Sequence, residues 1–264
     1  MNGLFCSPFS CFCRIIQKRF VVPASSPLLF LSDGFAFYRG NLSSVSQHQH
    51  HAVELVISEG PCEFWNGPER LHRGRVALLG ADVPHRFVGN GWQCFVYVEP
   101  ESRLGWHLAQ YLNGQPVVSL LDQLVVDLSV AEATTTDELA LLFNQLMPKL
   151  IPAAAPALAV SVDERIDSVL DYVKTHIDDP LPLGQLTEVA CLSEGRLMHL
   201  FKEQVGIPIR KYVLWNRLQV SVQHVLQGQN LTQAAHSGGF ADSAHFSRTF
   251  SEMFGIRPSD VLLK

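Results

Sequence analysis

No apolar run in this chain approaches the roughly 20 residues that a membrane-spanning helix needs, so a soluble protein is expected. No cysteine framework is legible either. Cys6, Cys11, Cys13, Cys62, Cys94 and Cys191 are spread unevenly over 264 residues, which excludes a small disulfide scaffold and fits a reducing cytoplasm. An excess of positive charge is also missing: 20 Lys and Arg stand against 25 Asp and Glu, which rules out a generally basic nucleic-acid coat. Charged residues are scarce at 17% while 47% are hydrophobic, so disorder is not the default and the length suits two domains with real cores. A secretory signal places its charge before the apolar stretch, whereas Arg14, Lys18 and Arg19 follow it here. Residues 1–22 therefore read as a loosely ordered extension, with a metal or redox role for Cys6, Cys11 and Cys13 as the alternative.

From Leu28 to about Trp106, short runs rich in Val, Phe and Leu are broken at Asp33-Gly34, Gly40-Asn41, Asn66-Gly67-Pro68 and Gly89-Asn90-Gly91. Many short strands separated by turn residues predict a compact β-barrel or sandwich. Leu139, Leu142, Phe143, Leu146 and Leu150 then recur at helical spacing. Their apolar face must either close the β domain or form a seam between two subunits. Two prolines and small residues at 151–160 read as a linker. Ser161 and Glu164 have capping-box spacing, and Ile166, Val169, Leu170, Val173 and Ile177 follow on one face, with Asp179-Pro180 as a stop. An all-helical domain is expected from 161 to 264, after a β domain at 23–150.

That last domain contains one pattern written twice. Leu197 and Phe246, Phe201 and Phe250, and Gly206 and Gly255 are each 49 residues apart. Each copy reads as a short helix, a tight turn and a second helix, with one amphipathic helix opened by Pro208 between them. Ser193 and Asp242 are the expected N-caps of the second helices, and Gly239 permits the second turn. Phe246, Phe250 and Phe254 are expected to face the core, while Tyr212, Trp215, Val222, Val225 and Leu226 pack the connecting helix against both copies. Between Arg196 and Arg257 basic residues exceed acidic ones by four, so this is the basic part of an acidic protein. Such a device suits contact with two successive major grooves, roughly 34 Å apart.

Residues 161–264 resemble the DNA-binding domain of the AraC/XylS family of bacterial transcription regulators. The resemblance is carried by Leu-Thr-Glu-Val-Ala-Cys-Leu-Ser at 186–193, Arg217-Leu218, Gly-Phe-Ala-Asp-Ser-Ala-His-Phe-Ser-Arg-Thr-Phe at 239–250 and Phe-Gly-Ile-Arg-Pro-Ser at 254–259. It implies double-stranded DNA as partner, with base-facing positions at Gly195, Met198 and His199 in the first unit and Ser243, Ala244, Ser247 and Arg248 in the second. Arg196, Lys202 and His245 complete the expected DNA-binding set; Arg196 and Lys202 read equally well as phosphate contacts or solvated charges, and His245 as a helix support. Cys191 stands where the family's turn has Gly. Gly195 and Met198 offer no hydrogen-bonding side chain, so more discrimination is expected from the second unit, with Arg248 paired to guanine. Arg217 is expected to be a structural ion-pair partner.

In the β domain, His48, His50 and Glu54 alternate onto one face of a strand while His51 points away, and His85 can approach from a neighbour. This set resembles the His-x-His, Glu and later His arrangement of cupins, small β-barrels that often precede the AraC-type domain and bind an effector there. The fold class expected is therefore α+β: a cupin-like barrel with accessory helices, then an all-α domain with two helix-turn-helix motifs. No cofactor is required by this reading; a divalent transition metal on His48, His50, Glu54 and His85 is one use of the cluster, and an effector pocket or internal hydrogen bonding the other. Trp65, Phe87 and Trp92 are candidate pocket aromatics. The leading expectation is a cytoplasmic, effector-controlled regulator that is not an enzyme, with RNA polymerase and a second copy of the chain as further candidate partners. The alternatives are a metal-dependent cupin enzyme with a helical appendix and a structural dimer.

Overall fold

The computed structural model describes residues 28–32, 34–120, 138 and 162–262. Its first half is an antiparallel sheet of eight strands: β1 (Leu28–Ser32), β2 (Phe35–Gly40), β3 (Ser44–His48), β4 (Val53–Asn66), β5 (Glu69–Leu79), β6 (His85–Val88), β7 (Gln93–Val98) and β8 (Val117–Ser119). The turns fall at the Gly, Asn and Pro clusters, with Gly67 and Gly91 at φ +56° and +77°, a region that costs a glycine little. The strand order is β1-β2-β7-β4-β5-β8, with β6 joining β3 to β4. β4 makes the fold three-dimensional. Its first half pairs with β7 and its second with β6, and the register shifts between Ile57 and Cys62, around Gly60-Pro61. Among the described residues no pairing joins β1 to β8, so the expected closed barrel is an open, cupin-like sheet.

Both faces of this sheet are covered. Val53, Leu55 and Ile57 share a cluster with Val96, Val98 and two leucines of helix α1 (Arg103–Leu112), whereas Val56, Phe64, Ala77, Leu79 and Phe95 face the helical half. Two-sided burial explains why β4 reads as a nearly unbroken apolar run rather than an alternating one. Helix α1 corrects the expectation that strands continue to about Trp106. The Ser102 hydroxyl donates to the Glu99 carbonyl at 2.7 Å and accepts from the Gly105 amide at 3.0 Å, so a local cap overrides the strand preference of the aromatic residue. The helix expected within 137–150, the 151–160 linker, Ser161 and Cys6, Cys11 and Cys13 lie outside the described residues, apart from helical Glu138.

The second half is helical: α2 (Glu164–Thr175), α3 (Leu183–Ala190), α4 (Glu194–Val205), α5 (Ile209–Leu226), α6 (Leu231–Ser237), α7 (Ser243–Phe254) and α8 (Pro258–Val261). Helix α2 is capped by Asp163, whose carboxylate accepts from the Arg165 amide at 3.0 Å and its guanidinium at 2.6 Å; the expected start at Ser161 is thus replaced by the stronger acceptor two residues on. It ends at His176, before Asp179-Pro180. Ile166, Val169, Leu170, Val173 and Ile177 all bury, against Leu186, Ala190, Leu197, Phe201 and Tyr212. The second unit has its own buried set, Leu218, Val222, Ala235, Phe240, Phe246 and Phe250, which is continuous with the sheet. Leu226, expected to pack, is exposed at the end of α5, and Phe254 is half-buried and turned toward the sheet.

Candidate functional site: a nucleic-acid interface and an inter-domain cleft

The two helix-turn-helix units are α3–α4 and α6–α7, held at the ends of α5. In the first, Cys191 closes α3 in the left-handed conformation at φ 50°, doing without Gly what Gly239 does at φ +76° in the second. Ser193 begins α4 with extended backbone but makes no side-chain cap bond; Glu194 in the first turn favours the positive helix end instead. The second unit is capped more fully. The Asp242 carboxylate accepts from the His245 amide at 2.6 Å, and this bond, with those from neighbouring amides and the nearby Arg248, holds it below the usual carboxylate range. At the start of α6, Asn230 and Gln233 form a reciprocal capping box that the sequence reading did not name.

These caps fix the outward faces. Gly195, Arg196, Met198, His199 and Lys202 are all exposed on α4. On α7, Ala244 and Arg248 are exposed and Ser243, His245 and Ser247 half-buried, with the His245 ring edge-on to Phe240. Neither face is covered by the sheet. Met198 is 50% exposed, a large apolar side chain left in water by a fold that buries its neighbours Leu197 and Leu200. Arg217 donates to the Asp179 carbonyl at 3.3 Å and lies beside Gly239, so it is structural but bonded to backbone instead of the expected ion pair.

The sheet meets the helices along α5 and α7. An apolar cleft lies between them, walled on one side by Leu29, Leu31, Tyr38, Val45 and Phe95 and on the other by Trp215, Leu218, Val222, Phe250 and Phe254, with His48, Glu54 and Gln219 among its polar groups. Trp65, Phe87 and Trp92 are not part of it: Trp65 bonds Glu63 at 3.0 Å, Phe87 belongs to the sheet core and Trp92 packs against the cluster that includes α1. The helical wall of the cleft escaped sequence reading, because periodicity shows that a residue is apolar but not which domain it meets. The same holds for Glu99. It accepts from Lys174 of α2 at 2.8 Å and from Gln219 of α5 at 3.0 Å, contacts 75 and 120 residues apart in the chain.

His48, which lines the cleft, is buried together with His50 and His85, each offering a ring nitrogen within 4.8 Å of the others. They do not come together by alternation along one strand, as expected. β3 ends at His48, His50 lies in the connection and Glu54 is on β4, while β6 pairs with β3 so that His85 stands opposite His48. Glu54 Oε2 is 3.4 Å from His50 Nε2 and 3.3 Å from His85 Nε2. Burial alone would raise its carboxyl, but the two imidazoles outweigh that and hold it well below the usual range; in return Glu54 raises His85 against burial. His48 is lowered to about 3 by burial and by the neighbouring rings. His51 turns away, bonding Asp82 at 3.0 Å with Glu101 nearby, and these carboxylates overcome burial to raise it to about 9.

Residues 186–263 match a family model described as a helix-turn-helix domain. The probable transcriptional regulator LumQ of Photobacterium leiognathi is 33% identical over 90 residues, 34% of this chain and 36% of LumQ, so that likeness spans about a third of the relative. The HTH-type transcriptional activator RhaS of Shigella sonnei is 26% identical over 242 residues, 81% of this chain and 86% of RhaS. Among solved structures, ToxT from Vibrio cholerae O395 shares the fold with a TM-score of 0.57 at 15% identity, over 88% of this chain and 98% of ToxT. Paired helix-turn-helix units behind an antiparallel sheet define a DNA-binding transcription regulator. Residues 186–263 carry the helix-turn-helix domain, and the likeness to the activator RhaS extends over most of the chain. Of the named relatives, LumQ is described as a probable transcriptional regulator and RhaS as a transcriptional activator.

Proposed function

We propose that this regulator reads DNA with α4 and α7 together and that a small apolar effector, seated in the cleft between sheet and helices, controls how the second unit is held. One observation carries the reading: the cleft is built from both domains, so an occupant touches Trp215, Leu218 and Phe250 of the DNA-binding half as directly as Tyr38 and Phe95 of the sheet. A ligand shifts a two-state equilibrium only through different affinity for the two states, and a site completed by domain docking has that property. Cleft chemistry favours a largely apolar molecule with one hydrogen-bonding end, facing Gln219 or His48. ToxT has been solved with an unsaturated fatty acid and with a naphthalenyl butenoic acid, both of this general character.

On the DNA side, Arg248 and Ser247 supply base contacts, Met198 supplies an apolar surface for a thymine methyl, and Arg196 and Lys202 hold phosphates. His199, Gly195, Ser243, Ala244 and His245 lie on the same two faces. A homodimer in the cytoplasm acting on RNA polymerase completes the reading. Fragments selected from random DNA by the purified full chain would carry a shared motif, protected in footprints. Replacing Arg248 and Ser247 by Ala should abolish protection; unchanged protection would remove α7 as a reading helix. Titration with a panel of apolar acids and alcohols should quench Trp215 fluorescence and change affinity for the selected fragment, and a Trp215 signal indifferent to every ligand that alters DNA binding would place the effector elsewhere.

A further inference from the structure

We infer that Arg217 fixes the separation and angle of the two reading helices, because it ties the loop after α2, which packs with the first unit, to the Gly238-Gly239 turn of the second. The two units have separate buried sets, one around Phe201 and Tyr212 and the other around Phe240 and Phe246. Helix α5 serves both. Ile209 and Tyr212 in its first half belong to the first set, and Leu218 and Val222 in its second half to the other. Arg217 is the ninth of the 18 residues of this helix, near the point where its packing passes from one unit to the next.

Three segments of chain meet at this side chain. Its guanidinium donates to the Asp179 carbonyl at 3.3 Å, in the loop that follows α2. Beside it stands Gly239, where an added β-carbon would lie 2.9 Å from Arg217 Nε and 3.2 Å from the Ile177 carbonyl oxygen. Gly238 rests on α5 itself: a β-carbon there would meet the Ser221 hydroxyl, the Arg217 carbonyl oxygen at 2.6 Å and the Ser221 amide nitrogen at 3.0 Å. The two glycines therefore bring the turn between α6 and α7 against both α5 and the end of the first unit, an approach that a side chain would prevent. Arg217 Nε is buried without a hydrogen-bond partner. That is a cost to stability which an apolar side chain in the same place would not carry, and what the guanidinium adds is its reach to Asp179.

Long helices are rarely straight, so a link through α5 alone leaves the angle between α4 and α7 free to vary. A second tie beside it removes that freedom. On DNA, one base pair inserted between two half-sites moves the second by about 3.4 Å along the duplex and by about 35° around it. A rigid pair of units is matched to one spacing and loses affinity on either side of it. A loose pair accepts neighbouring spacings but has to be ordered on binding, which weakens the best one. Arg217 is in this sense a positioning residue, acting through α4 and α7 and not on the bases. The inference rests on the proposed reading in which both helices meet DNA.

The test uses the full-length chain and the selected DNA fragment, its two half-sites mapped by footprinting and then moved together or apart by one and two base pairs. Wild type should lose about tenfold in affinity for a change of one base pair. Arg217→Met keeps the apolar stem and removes the donor; it should bind the best spacing about fivefold more weakly and vary less than about threefold across the series. Arg217→Gln, shorter and still polar, should flatten the profile in the same way and stands in where the Met variant does not fold. Affinity for a fragment with a single half-site should match wild type in both, an equality that a damaged reading helix would break. A wild-type profile in a folded variant, or an equal loss at every spacing, would overturn the inference. So would a wild type indifferent to spacing, or footprints confined to one half-site, and neither observation needs a variant. Failure to enrich any DNA would overturn the regulator reading instead.

Discussion

Lys174 of α2 donates to the buried carboxylate of Glu99 at 2.8 Å, across the boundary between sheet and helices. Gln219 of α5 occupies the other carboxylate oxygen. Because Glu99 is only 3% exposed and Lys174 reaches it from the surface, the two partners are not equivalent. Lys174→Met leaves a buried charge with one neutral donor and should cost about 3 kcal/mol, whereas Glu99→Gln removes the charge itself and should cost about 1 kcal/mol. In both variants the single melting transition should broaden or split as the domains separate. Calorimetry of the two single variants and the double variant measures the coupling; equal costs for the two singles would contradict the asymmetry.

Cys191 is a strained residue with a simple remedy. At φ 50° its β-carbon crowds the following peptide, a conformation costing a non-glycine residue about 1–2 kcal/mol, which glycine avoids. Cys191→Gly should therefore raise stability by about 1 kcal/mol after the larger entropy of the unfolded chain is subtracted, and Cys191→Ala should give no gain. Urea unfolding followed by circular dichroism distinguishes the two.

Asp242 makes the second unit sensitive to acid. Its carboxyl is held below the unfolded value by the His245 amide, so the cap contributes fully above the ordinary aspartate range and is lost as pH falls through the depressed folded value. Asn at the same position caps without titrating. The wild type should be the more stable of the pair at pH 7, with the difference shrinking below about pH 4. Paired urea midpoints from pH 7 to pH 2.5 measure it, and a constant difference would show that Asp242 carries no linkage.

Much of this architecture is written locally and much is not. The repeat at an interval of 49, the buried face from Ile166 to Ile177 and the Asp242 cap are short-range patterns, so the helical half was legible almost residue by residue. Strand boundaries were legible because Gly67 and Gly91 mark turns by their own conformational freedom. Helix α1 was missed because Ser102 competes locally with the strand preference around Trp106. The histidine cluster was legible as a set, but its geometry comes from β3 pairing with β6, a tertiary event. The cleft lay furthest from view, since Tyr38 and Val222 acquire a common environment only when two domains dock.

The charges on α4 and α7 separate two kinds of contact that the same footprint would merge. Arg196 and Lys202 stand exposed on α4, and in the proposed role of phosphate ligands they would release counterions regardless of sequence. Replacing either by Ala should weaken binding to selected and random DNA alike, and should reduce the slope of log affinity against log salt by about one. Arg248 on α7, proposed to pair with a guanine, should behave differently. Its loss should cost about 1–3 kcal/mol against the selected site and much less against random DNA, so the ratio between the two collapses. Affinities measured at three or more salt concentrations on both DNAs decide the matter. If Arg248→Ala lowers both affinities in parallel while Lys202→Ala erodes the ratio, base reading belongs to the first unit and the assignment of the two helices is reversed.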